Sequence, residues 1–224
     1  MKVTLQLLAS TVGGIVFMGV LLFLPAWTFD YRQAWVFIAV FIVGTMVPTI
    51  YLGVKYPDAL QRRMTGGPWN ETRLAQKMIM VGVLLSAVAA GVVSALDHRF
   101  GWSTVPTAVV VVGDVLVLAG LLLAEVVVIQ NNYAAATITV EHDQPVVSTG
   151  LYGVVRHPMY VGALIMMVGM PLALGSFWGL LTAIPTTLVF VARITDEEKA
   201  LRQELDGYEE YTEKVRYRLV PGVW

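Results

Sequence analysis

Four long apolar runs fill the first 130 residues and leave few ways to fold. They extend from about Leu5 to Trp27, from Ala34 to about Val54, from Met78 to Leu96, and from about Val105 to Ile129. About 20 apolar residues are what a helix needs to cross the hydrocarbon core, and a helix satisfies its own backbone groups there. Pro48, inside the second run, is expected to kink it. The first run is longer than the apolar part of a signal peptide and lacks a small-residue cleavage site, so it reads as a retained span. The whole chain agrees with this reading: 57% of its 224 residues are hydrophobic and 14% charged, against roughly 25% charged in soluble domains. A net charge of −1 offers nothing to nucleic acid. With no Cys, disulfides, thiolate metal sites and a Cys nucleophile are all excluded. Three His (His98, His142 and His157) are too few and too scattered to suggest a metal centre.

From Pro158 to Ala192 lie two further apolar segments of about 17 residues each, split by Gly175-Ser176. At that length they read as a helical hairpin returning to its starting side. The expected fold is therefore an all-α integral membrane protein. It has four transmembrane helices, a C-terminal helical hairpin (five to six membrane segments in all) and a cytoplasmic C-terminal helix broken at Gly207. Residues 1–130 form the four-span region and residues 131–224 the hairpin and tail, as one integrated domain. Between the spans, Lys55 to Lys77 reads as turns because of Pro57 and Gly66-Gly67-Pro68. Asp97 to Gly101 reads as a tight turn, and the β-branched stretch Thr137 to Thr149 as extended. Counting Lys and Arg by loop sets the orientation. Lys2, Lys55, Arg62, Arg63, Arg73, Lys77, Arg156, Arg193, Lys199, Arg202, Lys214, Arg216 and Arg218 fall on one side, and only Arg32 and Arg99 on the other. The positive-inside rule then places both termini in the cytoplasm.

Two polar clusters stand out against this background. The first is Arg156-His157-Pro158, where Pro158 opens an apolar helix at a position that loses no hydrogen bond. Taken alone it reads as a juxtamembrane anchor. Tyr152 before it, Tyr160 after it and Gly162, which leaves room on the helix for a ligand, instead suggest a cup for an anionic or hydroxylated ligand at a helix N-terminus. The second cluster is Arg193-Ile-Thr-Asp-Glu197-Glu198. Arg193 and Glu197 share a helix face at i and i+4, and a hairpin would return them to His157 and Tyr160. Lys199, Arg202 and Glu204 read as a solvated face. Asp114 and Glu125, at or near membrane depth, are weak functional candidates. Asn131-Asn132 reads mainly as the cap of the fourth span, and His142 as a solvated loop residue. Trp27, Tyr31, Trp35, Trp102 and Trp178 read as an interfacial belt.

An ordered set of motifs carries a resemblance: Gly150-x-Tyr152-x-x-x-Arg156-His157-Pro158-x-Tyr160-x-Gly162, then Arg193-x-x-x-Glu197-Glu198-x-x-Leu201, then Gly207-Tyr208-x-x-Tyr211 and a terminal basic Pro-Gly segment. In this order and spacing, from about Asn131 to Trp224, the chain resembles the isoprenylcysteine carboxyl methyltransferase family, which is related to the phospholipid N-methyltransferases. It is most like the short prokaryotic members, which implies a prokaryotic cytoplasmic membrane. The resemblance implies S-adenosyl-L-methionine as cofactor, held at the cytoplasmic edge of the membrane. Gln144, Pro145, Val146 and Val147 with Tyr152 would line the adenosine, and His157, Pro158, Met159 and Tyr160 would continue the pocket. Glu197 would accept hydrogen bonds from the cofactor, and Arg193 would orient the methyl acceptor. Residues 1–130 would then form the acceptor side and 131–224 the cofactor region.

The partners so implied are a lipophilic substrate from the bilayer and the membrane itself, with no nucleic acid and no metal. A carboxylate acceptor needs no general base, whereas an amine would have to lose a proton to Glu198 or His157. Two other enzymes stay open: a phospholipid or amine N-methyltransferase, and a sterol-reductase-like enzyme using NADPH. A transporter would favour inverted repeats and mid-membrane charges, and the sequence has neither.

Overall fold

The computed structural model describes residues 2–65, 74–134 and 144–224, with side chains throughout these except at 2–9, 63–65 and 75. The described residues form helices joined by turns, with no strand among them. The helices are α1 (Lys2–Ala26), α2 (Arg32–Lys55), α3 (Pro57–Thr65), α4 (Leu74–Phe100), α5 (Thr107–Gln130), α6 (Pro158–Ala173), α7 (Ala183–Glu204) and α8 (Tyr208–Lys214). Among the described residues, four stretches are long and apolar enough to cross a membrane: Arg32–Lys55, Gln76–Phe100, Thr107–Gln130 and Trp178–Glu204. Ser10–Ala26 and Pro158–Ala173 are shorter apolar helices. Large apolar side chains such as Leu84, Leu85, Val111, Val115, Ile184 and Leu188 are exposed, as a lipid solvent requires.

Three sequence expectations change here. The second apolar leg is no 17-residue segment: a 3₁₀ turn at Trp178–Thr182 feeds straight into α7, which carries Arg193 and Glu197 on the same continuous helix. Asp97 to Phe100 is not a turn but the last turn of α4, which ends at Gly101 (φ 65°), where the Gly101 N–H donates to the Asp97 carbonyl. Pro57-Asp58 opens α3 rather than a turn, with Pro in the first helical turn and an acidic side chain favoured by the helix dipole; Gly66 to Pro68 lie outside the described residues. Of the stretch expected to be extended, 137–143 also lies outside, and 144–148 is irregular.

Close contact between α5 and α6 fixes the start of α6. The two run antiparallel with Gly113 and Gly120 facing Gly169 and Gly162. A Cβ added at Gly120 would lie 2.5 Å from the Gly162 carbonyl oxygen, and one at Gly169 would lie 2.8 Å from Leu116 Cβ. Small residues let membrane helices approach to backbone contact. The room at Gly162 that the sequence suggested for a ligand is therefore filled by α5.

The largest buried apolar cluster lies toward one end of the bundle and includes Leu22, Phe37, Ala95, Val117, Met170 and Leu174. A polar knot ties the same end. Asp97 accepts from Ser103 N (2.7 Å), Ser103 Oγ (2.6 Å) and Ser176 Oγ (2.5 Å). Tyr31 donates to the Leu174 carbonyl at 2.6 Å and stacks on His98. At about 1.5 Å per helical residue, this end of α4 lies about 30 Å from Gln76, and the polar clusters are at the Gln76 end.

Candidate active site

The path from α5 to α6 sets the first wall. Asn131 caps α5, its N–H donating to the Val127 carbonyl, while its side chain donates to the Tyr152 hydroxyl at 3.2 Å. Gln130 Oε1 accepts the Leu151 N–H at 2.9 Å. Gly150 has φ 60°, a backbone angle that calls for glycine, and a Cβ there would lie 2.7 Å from that same oxygen. Arg156 and His157 then run alongside the C-terminal tail: Arg156 N donates to the Tyr217 carbonyl (2.9 Å) and His157 N to the Arg218 carbonyl (3.0 Å). Pro158 follows as the first residue of α6.

Two adjacent carboxylates on α7 have different partners. Glu198 is buried, and two arginines and a histidine surround it. His157 Nε2 donates to Oε1 at 3.1 Å, Arg156 Nε lies 3.3 Å from Oε1, and Arg218 donates to Oε2 through Nε (3.1 Å) and Nη2 (2.9 Å). Glu197 faces the other way and accepts from the Tyr160 hydroxyl at 2.6 Å. Arg193 Nε donates to that same hydroxyl at 2.7 Å, and Arg193 Nη1 donates to Gln76 Oε1 at 3.0 Å. Gln76 in turn donates to Asp196. Arg193, one helical turn before Glu197, is thus buried and oriented from two sides, with Tyr160 bridging cation and carboxylate. The two groups named as bases for an amine acceptor, Glu198 and His157, are bonded to each other, and Glu198 is further engaged by two arginines.

Between these walls lies a cavity of about 340 Å³, within the roughly 300–1,000 Å³ range of small-molecule sites. Gln144, Pro145, Val146, Val147 and Tyr152 line one side, and His157, Pro158, Met159 and Tyr160 another, with Arg193 and Glu197 between them. The residues that the resemblance assigned to the cofactor and the acceptor thus border one space, whereas Asp114, Glu125 and Glu198 are not among its lining residues. Others that were not assigned to the cofactor or the acceptor join them. Tyr208 and Tyr211 of α8 close the tail side, Asn131 and Tyr133 form part of the rim, and Met80 and Val83 of α4 with Ala163 and Phe190 give the cavity an apolar arm. Gln76 and Arg218, which fix the polar wall, also went unnoticed. Tyr208 and Tyr211 were visible in the Gly-Tyr-x-x-Tyr motif, but Gln76 had no signal beyond being polar at the head of an apolar run. His142 and residues 135–143 lie outside the described residues.

Burial pushes the Tyr152 phenol up to about 12; the Asn131 hydrogen bond opposes that and the nearby Glu197 charge reinforces it. Burial likewise raises Tyr208 and Tyr211. All three are neutral hydrogen-bonding groups at physiological pH. Chemically, the cavity joins a cation oriented by two partners, an acceptor carboxylate, several phenols and apolar side chains in one space.

Comparison with known proteins adds three findings. A family model described as phospholipid methyltransferase matches residues 108–206. Over 75 residues the chain is 41% identical to a Protein-S-isoprenylcysteine O-methyltransferase of Schizosaccharomyces pombe, covering 33% of this chain and 32% of that protein. The match thus spans about a third of that curated relative's length. The fold is similar to the solved structure of the eukaryotic intramembrane Ras methyltransferase, isoprenylcysteine carboxyl methyltransferase, without a monobody. The TM-score is 0.53 at 15% identity, over 98% of this chain and 85% of that one.

Proposed function

We propose that the chain is a member of the isoprenylcysteine carboxyl methyltransferase family, a reading supported by its partial sequence matches and its similar fold, and that it methylates a carboxylate of a lipophilic membrane substrate, using S-adenosyl-L-methionine. The observation that carries this reading is the Arg193–Tyr160–Glu197 chain of hydrogen bonds, set where the polar cavity meets its apolar arm. A bidentate guanidinium suits a carboxylate acceptor, and Gln76 and Tyr160 hold Arg193 so that little freedom remains to be lost when the acceptor arrives. Met80, Val83, Ala163 and Phe190 would receive the acceptor's apolar chain.

The residues present fit the cofactor. A half-buried carboxylate (Glu197), a neutral phenol (Tyr152) and the backbone of Gln144 to Val147 offer acceptors, donors and a wall for a nucleoside. Met159 and Pro158 supply apolar contact, and His157, held by Glu198, keeps the start of α6 in place. S-adenosylmethionine bound there would bring a methyl group on a positively charged sulfur. Transfer to an anionic acceptor cancels charge, which a dry, low-dielectric site favours over the separated ions. Positioning is then the chief requirement of the protein, with no general base. In this reading residues 1–130 serve the acceptor and 131–224 the cofactor, and the basic end of the bundle, with both termini and the site, faces the cytoplasm of a prokaryotic cell. Two apolar legs, α6 and α7, would form a membrane hairpin whose open end is the site.

The test is methyl transfer from labelled S-adenosylmethionine to a farnesylated cysteine analogue by the detergent-purified protein. A methyl ester releases its label as methanol in base, and that is the expected product. The match to a phospholipid methyltransferase model favours one other acceptor, a lipid amine. Base-stable label in lipid headgroups, with none in the prenylated acid, would establish that reading instead.

A further inference from the structure

The two tyrosines of α8 are treated unequally by the fold. Both are buried in one small cluster with Leu205 and Val215, their rings 5.7 Å apart, and both border the cavity. Tyr211 donates its hydroxyl to the Tyr152 carbonyl at 2.8 Å. The Tyr208 hydroxyl is buried and has no hydrogen-bond partner among the described residues. A buried hydroxyl left without a partner is destabilising, whereas a phenylalanine would keep the same ring contacts without that cost. Among the described residues folding gives this oxygen no partner, and the side chain that carries it borders the space in which a ligand is expected.

We propose that the Tyr208 hydroxyl is a hydrogen-bonding contact to the methyl donor in this cavity. The inference rests on the reading above and extends its binding set onto α8, an element outside the walls that the sequence suggested. As a neutral phenol, Tyr208 donates to an acceptor atom of the ligand, and Val146, packed on the same cluster, places that contact beside the Gln144 to Val147 wall. Tyr211 does not share the role, because its hydroxyl already fastens α8 to the turn that carries Tyr152.

Tyr208→Phe and Tyr211→Phe separate the two roles. Each purified variant is titrated calorimetrically with S-adenosylhomocysteine, and its melting temperature is measured without ligand. Tyr208→Phe is expected to melt at or above the wild-type temperature and to bind S-adenosylhomocysteine about five- to tenfold more weakly, the loss of one neutral hydrogen bond. Tyr211→Phe is expected to melt lower. Unchanged affinity in Tyr208→Phe would overturn the proposal and leave the hydroxyl to water, and so would a lowered melting temperature, which would mean that the oxygen serves folding. If the wild-type protein itself does not bind S-adenosylhomocysteine, the methyltransferase reading fails and this inference with it; wild-type binding with an unaffected variant removes the inference alone.

Discussion

Neighbouring residues of α7 carry opposite loads. Glu198 is enclosed by Arg156, His157 and Arg218, and removing one member of a buried ionic set costs more than the set is worth, because the others remain buried and unpaired. Glu198→Ala should therefore lose about 3–5 kcal/mol of stability, read by denaturant or thermal unfolding in detergent. Glu197→Ala should fold normally, and Lys199→Ala, on the exposed face, should stay within about 0.5 kcal/mol of wild type. The tyrosines predict a pH dependence. Tyr152, Tyr208 and Tyr211 are raised above the ordinary phenol value on folding, so their contribution is complete below about pH 10 and lost as pH rises beyond it. Melting temperature should fall between about pH 10 and 12; a curve unchanged across that window would contradict the burial of these phenols. At this scale the sequence was informative about Arg193, Glu197, His157 and Tyr160, because helical spacing and a Pro-started helix are local signals. It was silent on Gln76 and Arg218, about 117 and 61 residues away from Arg193 and His157, because no local pattern marks such a partner.

The elements owe their arrangement to glycine as much as to apolar length. At Gly120 even one methyl group meets the Gly162 carbonyl, and α6 carries His157 and Tyr160 at its first turn. Gly120→Ala should lower stability by about 1–3 kcal/mol, the usual cost of overpacking, and weaken S-adenosylhomocysteine binding at the same time. Gly13→Ala, where an added Cβ meets nothing within 4 Å, should do neither; equal effects at the two positions would mean that α5–α6 contact does not hold the site. Apolar run length revealed most helices to within a few residues, since a bilayer leaves the backbone little choice. It missed α3 and the last turn of α4, where polar side chains looked like turns but lie in helix ends favoured by Pro57 and by Gly101. It also read the glycine at 162 as space for a ligand, because a sequence does not say which helix a small residue faces.

As a whole, the molecule separates two functions along its length: an apolar core and the Asp97 knot hold one end of the bundle together, and the other end holds the cavity. The C-terminal tail belongs to the second. Its backbone receives the Arg156 and His157 N–H groups and its Arg218 reaches Glu198, so deletion of residues 217–224 should abolish S-adenosylhomocysteine binding while leaving the membrane helices folded by circular dichroism. The claim on which all else depends is that one cavity, with Glu197 on its wall, holds the methyl donor. Calorimetric titration of the purified wild-type protein and of Glu197→Ala with S-adenosylhomocysteine, beside NADPH as the parallel ligand, tests it most directly. Saturable binding of S-adenosylhomocysteine to the wild type alone, with no response to NADPH, is the predicted result. Binding of NADPH without S-adenosylhomocysteine, or equal S-adenosylhomocysteine affinity in Glu197→Ala, would contradict it.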